Sequence, residues 1–505
     1  MNFKPFLLFL ISISLISCKK KLLTKRETLP NVIYILTDDL GYGDVKYLNP
    51  DGKIDTPQMD HLASQGMIFT DAHTSSSVCT PSRYSIITGR YNWRTKLQKG
   101  VLWGFSPPLI ENNRLTVANF LQNQGYHTAC FGKWHLGMDL PFNGTPAVGR
   151  YPKKPNVNWK GTIKNGPTDR GFDTFYGISA SLDMPPYIYI QDDKFIGECE
   201  MTLSGKKLSP KNPEFKAVDV LSKIGEKTID YIKNYKGDKP FFTYVAFTSP
   251  HTPILPSKEW VGKSELGKYG DFVMQTDDVI GKIVNAVDEM GLTENTIIIV
   301  TSDNGCSKHA GISDMIQKGH YPSGKFRGSK ADLWEGGHRV PFIVRWPKEV
   351  TAGTKSNETI CLTDFFSTMS EITKQNIPNG FAEDSYSFLP ALKGKKIISN
   401  RKGIIHHSVS GHFAYRQGKW KLLLAKGSGG WSSPRENEAK TAPKVQLYNL
   451  ENDPGETTNL YKKHPEIVEK LLEQLKSDVY NGHTTKESQF KNDIEDIVLW
   501  KSGNQ

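Results

Sequence analysis

Cys79-Thr80-Pro81-Ser82-Arg83, closed six residues later by Gly89-Arg90, is the run most able to do chemistry. Proline suits the first turn of a helix, and glycine suits the position where a helix stops. Cys79 and Arg83 are four apart, so they share one helix face. A helix N-terminus presents free N–H groups and a partial positive charge. A reactive group there, with a guanidinium one turn on, suits an anionic substrate. The same residues would also serve as an ordinary helix start. Four further polar groups stand out: Asp38-Asp39, Lys133-Trp134-His135, Ser249-Pro250-His251 and Ser302-Asp303-Asn304-Gly305.

These groups have a common position. Each follows a short apolar run, at 32–36, 127–131, 241–247 and 297–300. Amphipathic helical stretches lie between, at about 56–66, 114–124, 217–235 and 271–290. Buried strands alternating with helices predict an α/β fold, a large mostly parallel sheet covered on both faces. Ligands of such sheets bind outside the carboxyl ends of the strands. Four strands therefore deliver aspartates, a lysine, two histidines and an asparagine to one edge.

The segment at about 139–215 shows no periodicity and is rich in Gly, Pro, Asn, Tyr and Lys. A stretch this long is usually functional or locally folded. It is expected to wall the substrate pocket, with Tyr187 and Tyr189 as candidate stacking residues. From about 396 the character changes. Short antiparallel strands are expected at 413–416, 420–424 and 445–450, then an amphipathic helix at 464–480 with Ile467, Leu471, Leu472 and Leu475 on one face. This predicts a smaller C-terminal α/β subdomain over 396–505, after a catalytic domain over 30–395.

A chain of 505 residues, 37% hydrophobic and 11% aromatic, can bury a sizeable core. Its net charge of +11 suits an anionic partner. No nucleic-acid-binding motif or long basic helix is present, so nucleic acid is not an expected partner. Lys4 and the apolar stretch to Ile16 read as an export signal, too short to span a membrane. The ending Leu15-Ile16-Ser17-Cys18 resembles a bacterial lipoprotein box. The expected organisation is a signal peptide over 1–17, lipidation at Cys18, a basic tether over 18–29, and an exported, membrane-anchored protein in the periplasm or on the cell surface. The remaining cysteines lack C-x-x-C spacing and so carry no zinc or redox signature. Cys130, beside an apolar run, is expected to be a buried thiol.

Taken in order, these motifs resemble the type I, formylglycine-dependent sulfatases of the alkaline phosphatase superfamily. The resemblance also covers Gly41-Tyr42-Gly43-Asp44, Gly132-Lys133-Trp134-His135-Leu136-Gly137, Pro250-His251-Thr252-Pro253, Phe326-Arg327-Gly328-Ser329-Lys330, Glu335-Gly336-Gly337, Arg339-Val340-Pro341 and Leu447-Tyr448-Asn449-Leu450. It implies that Cys79 is converted to formylglycine by a formylglycine-generating or sulfatase-maturating enzyme. It implies one calcium ion held by Asp38, Asp39, Asp303, Asn304 and the converted Cys79; a charge-rich all-protein oxygen set suits calcium better than magnesium. By the same resemblance a hydroxyl of the Cys79-derived hydrate attacks sulfur and a covalent sulfo-enzyme forms. His135 takes the proton that resolves it, His251 protonates the leaving oxygen, and Arg83, Lys133 and Lys330 balance charge. His406 and His407 are weaker candidates for substrate contact. The implied reaction is hydrolysis of a sulfate ester, most naturally on a saccharide. Two other readings stay open: a phosphonate monoester or phosphodiester hydrolase of the same superfamily, and a non-catalytic lipoprotein that binds sulfated glycans.

Overall fold

The computed structural model describes residues 1, 28–153, 155–204, 207–485 and 491–501. The expected signal peptide beyond its first residue, the expected lipidation site Cys18 and most of the expected tether lie outside the described residues. Ten strands form the main sheet, in the order Thr354–Ser356, Met67–Phe69, Phe342–Arg345, Thr296–Ser302, Asn31–Asp38, Phe241–Pro250, His127–Lys133, Thr174–Ile178, Ile190–Gln191, Lys194–Phe195. The central strands run parallel, and Phe342–Arg345 returns antiparallel beside Thr296–Ser302.

The period-two alternation of a strand sends its side chains to two layers. Val32, Tyr34 and Leu36 enter one apolar layer, and Ile33 and Ile35 enter the other. Phe242, Tyr244 and Ala246 join the first, and Phe241, Val245 and Phe247 the second. Helices Cys79–Thr88, Val117–Asn123 and Phe365–Thr373 cover the first layer through Tyr84, Ile86, Ile87, Val117, Phe120, Phe365 and Phe366. Helices Pro57–Ser64, Val220–Asn234 and Lys268–Glu289 cover the second through Met59, Leu62, Ile224, Ile280, Ile283 and Val287. Each such side chain contributes about 1.5–3 kcal/mol by leaving water.

The expected central strands are all present, each running two or three residues past the apolar run into its polar cluster. The segment at 139–215 differs from expectation. It holds a fifth parallel strand, Thr174–Ile178, and two hairpins, Ile190–Gln191 with Lys194–Phe195 and Glu200–Ser204 with Lys207–Lys211. Tyr189 stacks on Tyr176 with centroids 5.2 Å apart and packs on Phe215, and Tyr187 also packs on Phe215. Both are buried in the core, which corrects their expected role as sugar-stacking residues.

The C-terminal region forms a four-stranded antiparallel sheet, Ile404–His407, Phe413–Gln417, Trp420–Leu423 and Gln446–Asn449, backed by helix Pro465–Tyr480. Leu471, Leu475 and Val479 bury the helix face that the sequence pattern marks. Two arginines directly after the Cys79 helix tie this region down. Arg94 grips Asp384 through Nε and Nη2, both at 2.8 Å, and also reaches Asp478 O and Asn492 Oδ1. Arg90 bonds Asp493, Lys491 O and Glu383. Asp478, Lys491, Asn492 and Asp493 thus close over the base of the helix that begins with Cys79.

Candidate active site

The site sits where the central strands end, and its backbone is irregular. Register slips between Leu36 and Asp38, so that Asp38 comes opposite Pro250. Asp39, His135 and Ala331 follow with φ of 68°, 57° and 82°. Left-handed backbone at non-glycine residues costs of order 1–3 kcal/mol and gathers where function needs it. Tyr269 OH donates to Asp39 O at 3.2 Å and helps hold that turn. Gly132, at φ 108°, lets its strand turn before Lys133; a Cβ there would lie 2.0 Å from Ala246 O.

Three buried carboxylates face three buried cations. Lys133 Nζ donates to Asp38 Oδ2 at 2.7 Å, and Lys330 Nζ to Asp39 Oδ1 at 2.5 Å. Arg83 donates from Nε to Asp303 Oδ2 at 2.9 Å, with Nη2 at 2.8 Å from the same oxygen. Burial pushes the Asp38 carboxyl up, but Lys133, His251, Arg83 and Lys330 outweigh it and hold it well below the usual range. Burial, then Asp38, push Asp303 up to about 6 despite Arg83 and Lys133. Burial works against the charge on Lys330, yet Asp39 and its neighbours hold its pKa well above the ordinary value.

Cys79 opens helix Cys79–Thr88, whose N-cap Val78 supplies no side-chain cap. The helix ends as the sequence predicts, at Gly89 with φ 65°, whose N–H donates to Ser85 O. Cys79 Sγ lies 3.6 Å from Asp38 Oδ1 and 3.4 Å from Lys330 Nζ. Burial pushes its thiol up to about 12 against the pull of Lys133 and Lys330, so an unmodified thiol there stays protonated.

The two histidines present different nitrogens. His251 Nε2 lies 3.7 Å from Asp39 Oδ2, while its Nδ1 faces Thr252 O and Ser181 Oγ. A Nδ1–H donated to the carbonyl fixes the tautomer and leaves Nε2 towards the carboxylates. His135 donates from Nε2 to Leu102 O at 2.9 Å, and its buried Nδ1 has no partner. Thr80 Oγ1 donates to His135 O at 3.0 Å and so ties this turn to the Cys79 helix. Burial, Lys133 and Arg83 hold the His135 ring well below the usual range, so it is a neutral acceptor.

The residues singled out at strand ends, Asp38, Asp39, Lys133, His135, His251, Asp303 and Asn304, therefore converge with Cys79 and Arg83 of the helix and with Lys330. His406 and His407 do not join them, which corrects their expected substrate contact. His406 stacks on buried His338 at 3.6 Å and bonds Thr74 O, and His407 packs on Phe413. Their part is to hold the approach to Cys79: His407 N donates to Ser75 O and Ser77 N to His407 O, both at 3.1 Å. Ser181, beside His251, was missed. It follows the Thr174–Ile178 strand, so the rule applied to the other four strand ends would have found it.

The donor set fits a hard divalent cation. Asp38, Asp39, Cys79 and His251 each place a ligand atom within 4.8 Å of the others. Asp39 Oδ2 and Asn304 Oδ1 are buried with no hydrogen-bond partner. Buried polar atoms are rarely left so, and oxygen donors are what calcium or magnesium takes.

Comparison with known proteins agrees with this geometry. The sulfatase family model matches residues 30–375. A second, N-sulphoglucosamine sulphohydrolase, C-terminal, matches 329–481. An N-acetylgalactosamine-6-O-sulfatase of Bacteroides thetaiotaomicron is 33% identical over 491 residues, covering 89% of this chain and 93% of that one. Human arylsulfatase A is 29% identical, covering 88% and 86%. A solved structure from work on glycosaminoglycan metabolism by Bacteroides thetaiotaomicron superposes with a TM-score of 0.78 at 32% identity, covering 90% of this chain and all of that one.

Proposed function

The chain belongs to the sulfatase family, and on that premise we propose that it removes an O-sulfate from a saccharide of glycosaminoglycan type. The observation that carries the proposal is the set of three cations, Arg83, Lys133 and Lys330, held by buried carboxylates around Cys79. In the proposed site Asp38, Asp39, Asp303, Asn304 and the converted Cys79 hold calcium. Bound calcium supplies Lewis acidity towards the sulfate oxygens and eases deprotonation of a hydroxyl. Formylglycine at Cys79 would supply, as its hydrate, a hydroxyl nucleophile for sulfur and a second hydroxyl whose loss of a proton restores the carbonyl as the C–O bond to the transferred sulfate breaks and sulfate leaves.

The remaining chemistry belongs to this chain's own side chains. Lys133, Lys330 and Arg83 are preorganised cations aimed at charge on the outer sulfate oxygens, which is where catalysis by electrostatics is largest. The free Nδ1 of neutral His135 is the acceptor for the hydrate proton. His251, as an imidazolium whose Nδ1–H stays on Thr252 O, gives its Nε2 proton to the departing sugar oxygen. The saccharide assignment is supported by two relatives named as N-acetylgalactosamine-6-sulfatases, and by the solved structure that comes from work on glycosaminoglycan metabolism.

An alkoxide needs a general acid when it leaves, whereas a nitrophenolate hardly does. His251→Ala therefore lowers turnover of a sulfated sugar by about 10²–10⁴-fold, and that of nitrophenyl sulfate far less. Parallel rates for wild type and variant on both substrates check this; equal losses remove His251 from the acid role. Wild type faster on nitrophenyl phosphodiester than on any sulfate ester would favour the phosphodiesterase reading.

We further propose export as a lipoprotein acylated at Cys18, on the Ser17-Cys18 motif. Cys18→Ala is expected to move the protein from the membrane to the soluble fraction. Unchanged fractionation leaves an ordinary cleaved signal.

A further inference from the structure

A second cavity, of about 370 Å³, opens beside the turn that carries Lys330. Its walls come from three places. One is the segment just after Asp303 and Asn304, with Lys308 and Ile316. Another is the segment just before Lys330, with Tyr321 and Arg327. The third is the C-terminal region, with Trp431. Trp431 is fixed over the Lys330 turn: its N–H donates to Asp332 Oδ1 at 2.8 Å, and Ser432 Oγ lies 3.3 Å from Ser329 Oγ. Gly430 packs so closely on that turn that a Cβ would lie 2.2 Å from Ala331 O.

The lining combines apolar faces with cations. Tyr321 is 51% exposed and Ile316 42%, both large side chains left open to solvent. Lys308 Nζ stands 5.3 Å from the centre of the half-buried Trp431 ring. Arg327 lies flat on buried Trp334 at 3.6 Å. Lys308 forms no salt bridge among the described residues, whereas Arg327 Nη1 already donates to Glu456 O at 2.8 Å. Aromatic rings with a polar rim suit the flat, apolar face of a sugar, and the Lys308 ammonium suits an acid group on it.

We propose that this cleft seats the acidic sugar next to the sulfated one, so that the preferred substrate is an acidic oligosaccharide rather than a single sulfated sugar. The inference rests on the saccharide reading above and adds a subsite to it. The probes are a uronate–N-acetylgalactosamine disaccharide without sulfate, for binding, and the 6-sulfated disaccharide and monosaccharide, for turnover. Calorimetry is expected to show wild type binding the unsulfated disaccharide. Trp431→Ala and the surface change Lys308→Ala weaken that binding about fivefold to tenfold, and both raise KM for the sulfated disaccharide by the same factor. Turnover of the sulfated monosaccharide stays as in wild type, which also shows that the variants fold. Absence of wild-type binding, or equal loss on disaccharide and monosaccharide, overturns the subsite. Binding that persists in a protein inactive on every sulfate ester would sink the catalytic reading and leave the subsite standing.

Discussion

Cys79→Ala leaves the fold intact and abolishes sulfate release, with a loss on the order of 10⁴–10⁶-fold, the scale on which removal of a nucleophile acts. The expectation of an intact fold follows from the contacts. The Cys79 side chain makes only long contacts through sulfur, at 3.4 Å and 3.6 Å, and the turn before it is held by backbone bonds to Ser75 and Ser77. The matching result in unaltered protein is chemical. Mass analysis of the peptide containing Cys79 is expected to show the thiol replaced by an aldehyde or its hydrate, in proportion to specific activity across preparations. Full activity in protein that retains an unmodified thiol would end the formylglycine proposal. Wild-type rates in Cys79→Ala would remove the residue from the reaction altogether.

Removal of the bound cation is the second large effect. Exhaustive chelation is expected to stop turnover and to lower the melting temperature by about 3–4 °C, because a ligand held at 100 to 1,000 times its Kd stabilises the native state by about 2.7–4 kcal/mol. The protein is expected to stay folded without it. Asp38, Asp39 and Asp303 already face Lys133, Lys330 and Arg83, so the carboxylates are not left to repel one another. Calcium readdition restores both readings, and magnesium restores them less well, since the site offers an all-protein oxygen set. Unchanged turnover in protein shown to contain no metal would refute the assignment. Asp303→Asn is a check that uses no chelator, and it is expected to weaken calcium binding measured by titration.

Most of this site was legible before any coordinates because of where its polar residues fall. Asp38-Asp39, Lys133 to His135, His251 and Asp303-Asn304 each interrupt an apolar run at its C-terminal end, and a parallel sheet gathers those ends by construction. The helix starting at Cys79 was legible from Pro81 and Gly89, which act within one or two turns. The failures share a cause. Tyr187 and Tyr189 have the composition of a binding wall, but their partners Tyr176 and Phe215 are supplied by tertiary packing. His406 and His407 are buried by His338 and Phe413 on other segments. The Thr174–Ile178 strand is five residues with a glycine inside it, too short to show a period, and with it went Ser181.

The clamp at Arg90 and Arg94 bears on the order of events in the life of the chain. Cys79 is 2% exposed, so no separate enzyme can reach it in the folded protein. Proposed conversion of Cys79 is thereby confined to a chain still being made or still unfolded. The closing partners, Asn492 and Asp493, lie about 400 positions downstream, as the separation of 403 between Arg90 and Asp493 records. At about 5–20 residues per second, ribosomal synthesis of that stretch takes about 20–80 s. The contacts that lock the helix base therefore become available only long after the Cys79 helix has been made. Under the formylglycine proposal, a chain that folds before it is modified would be trapped with a sealed thiol, specific activity would be set by a race between maturation and folding, and slowing translation would be a means of tilting it.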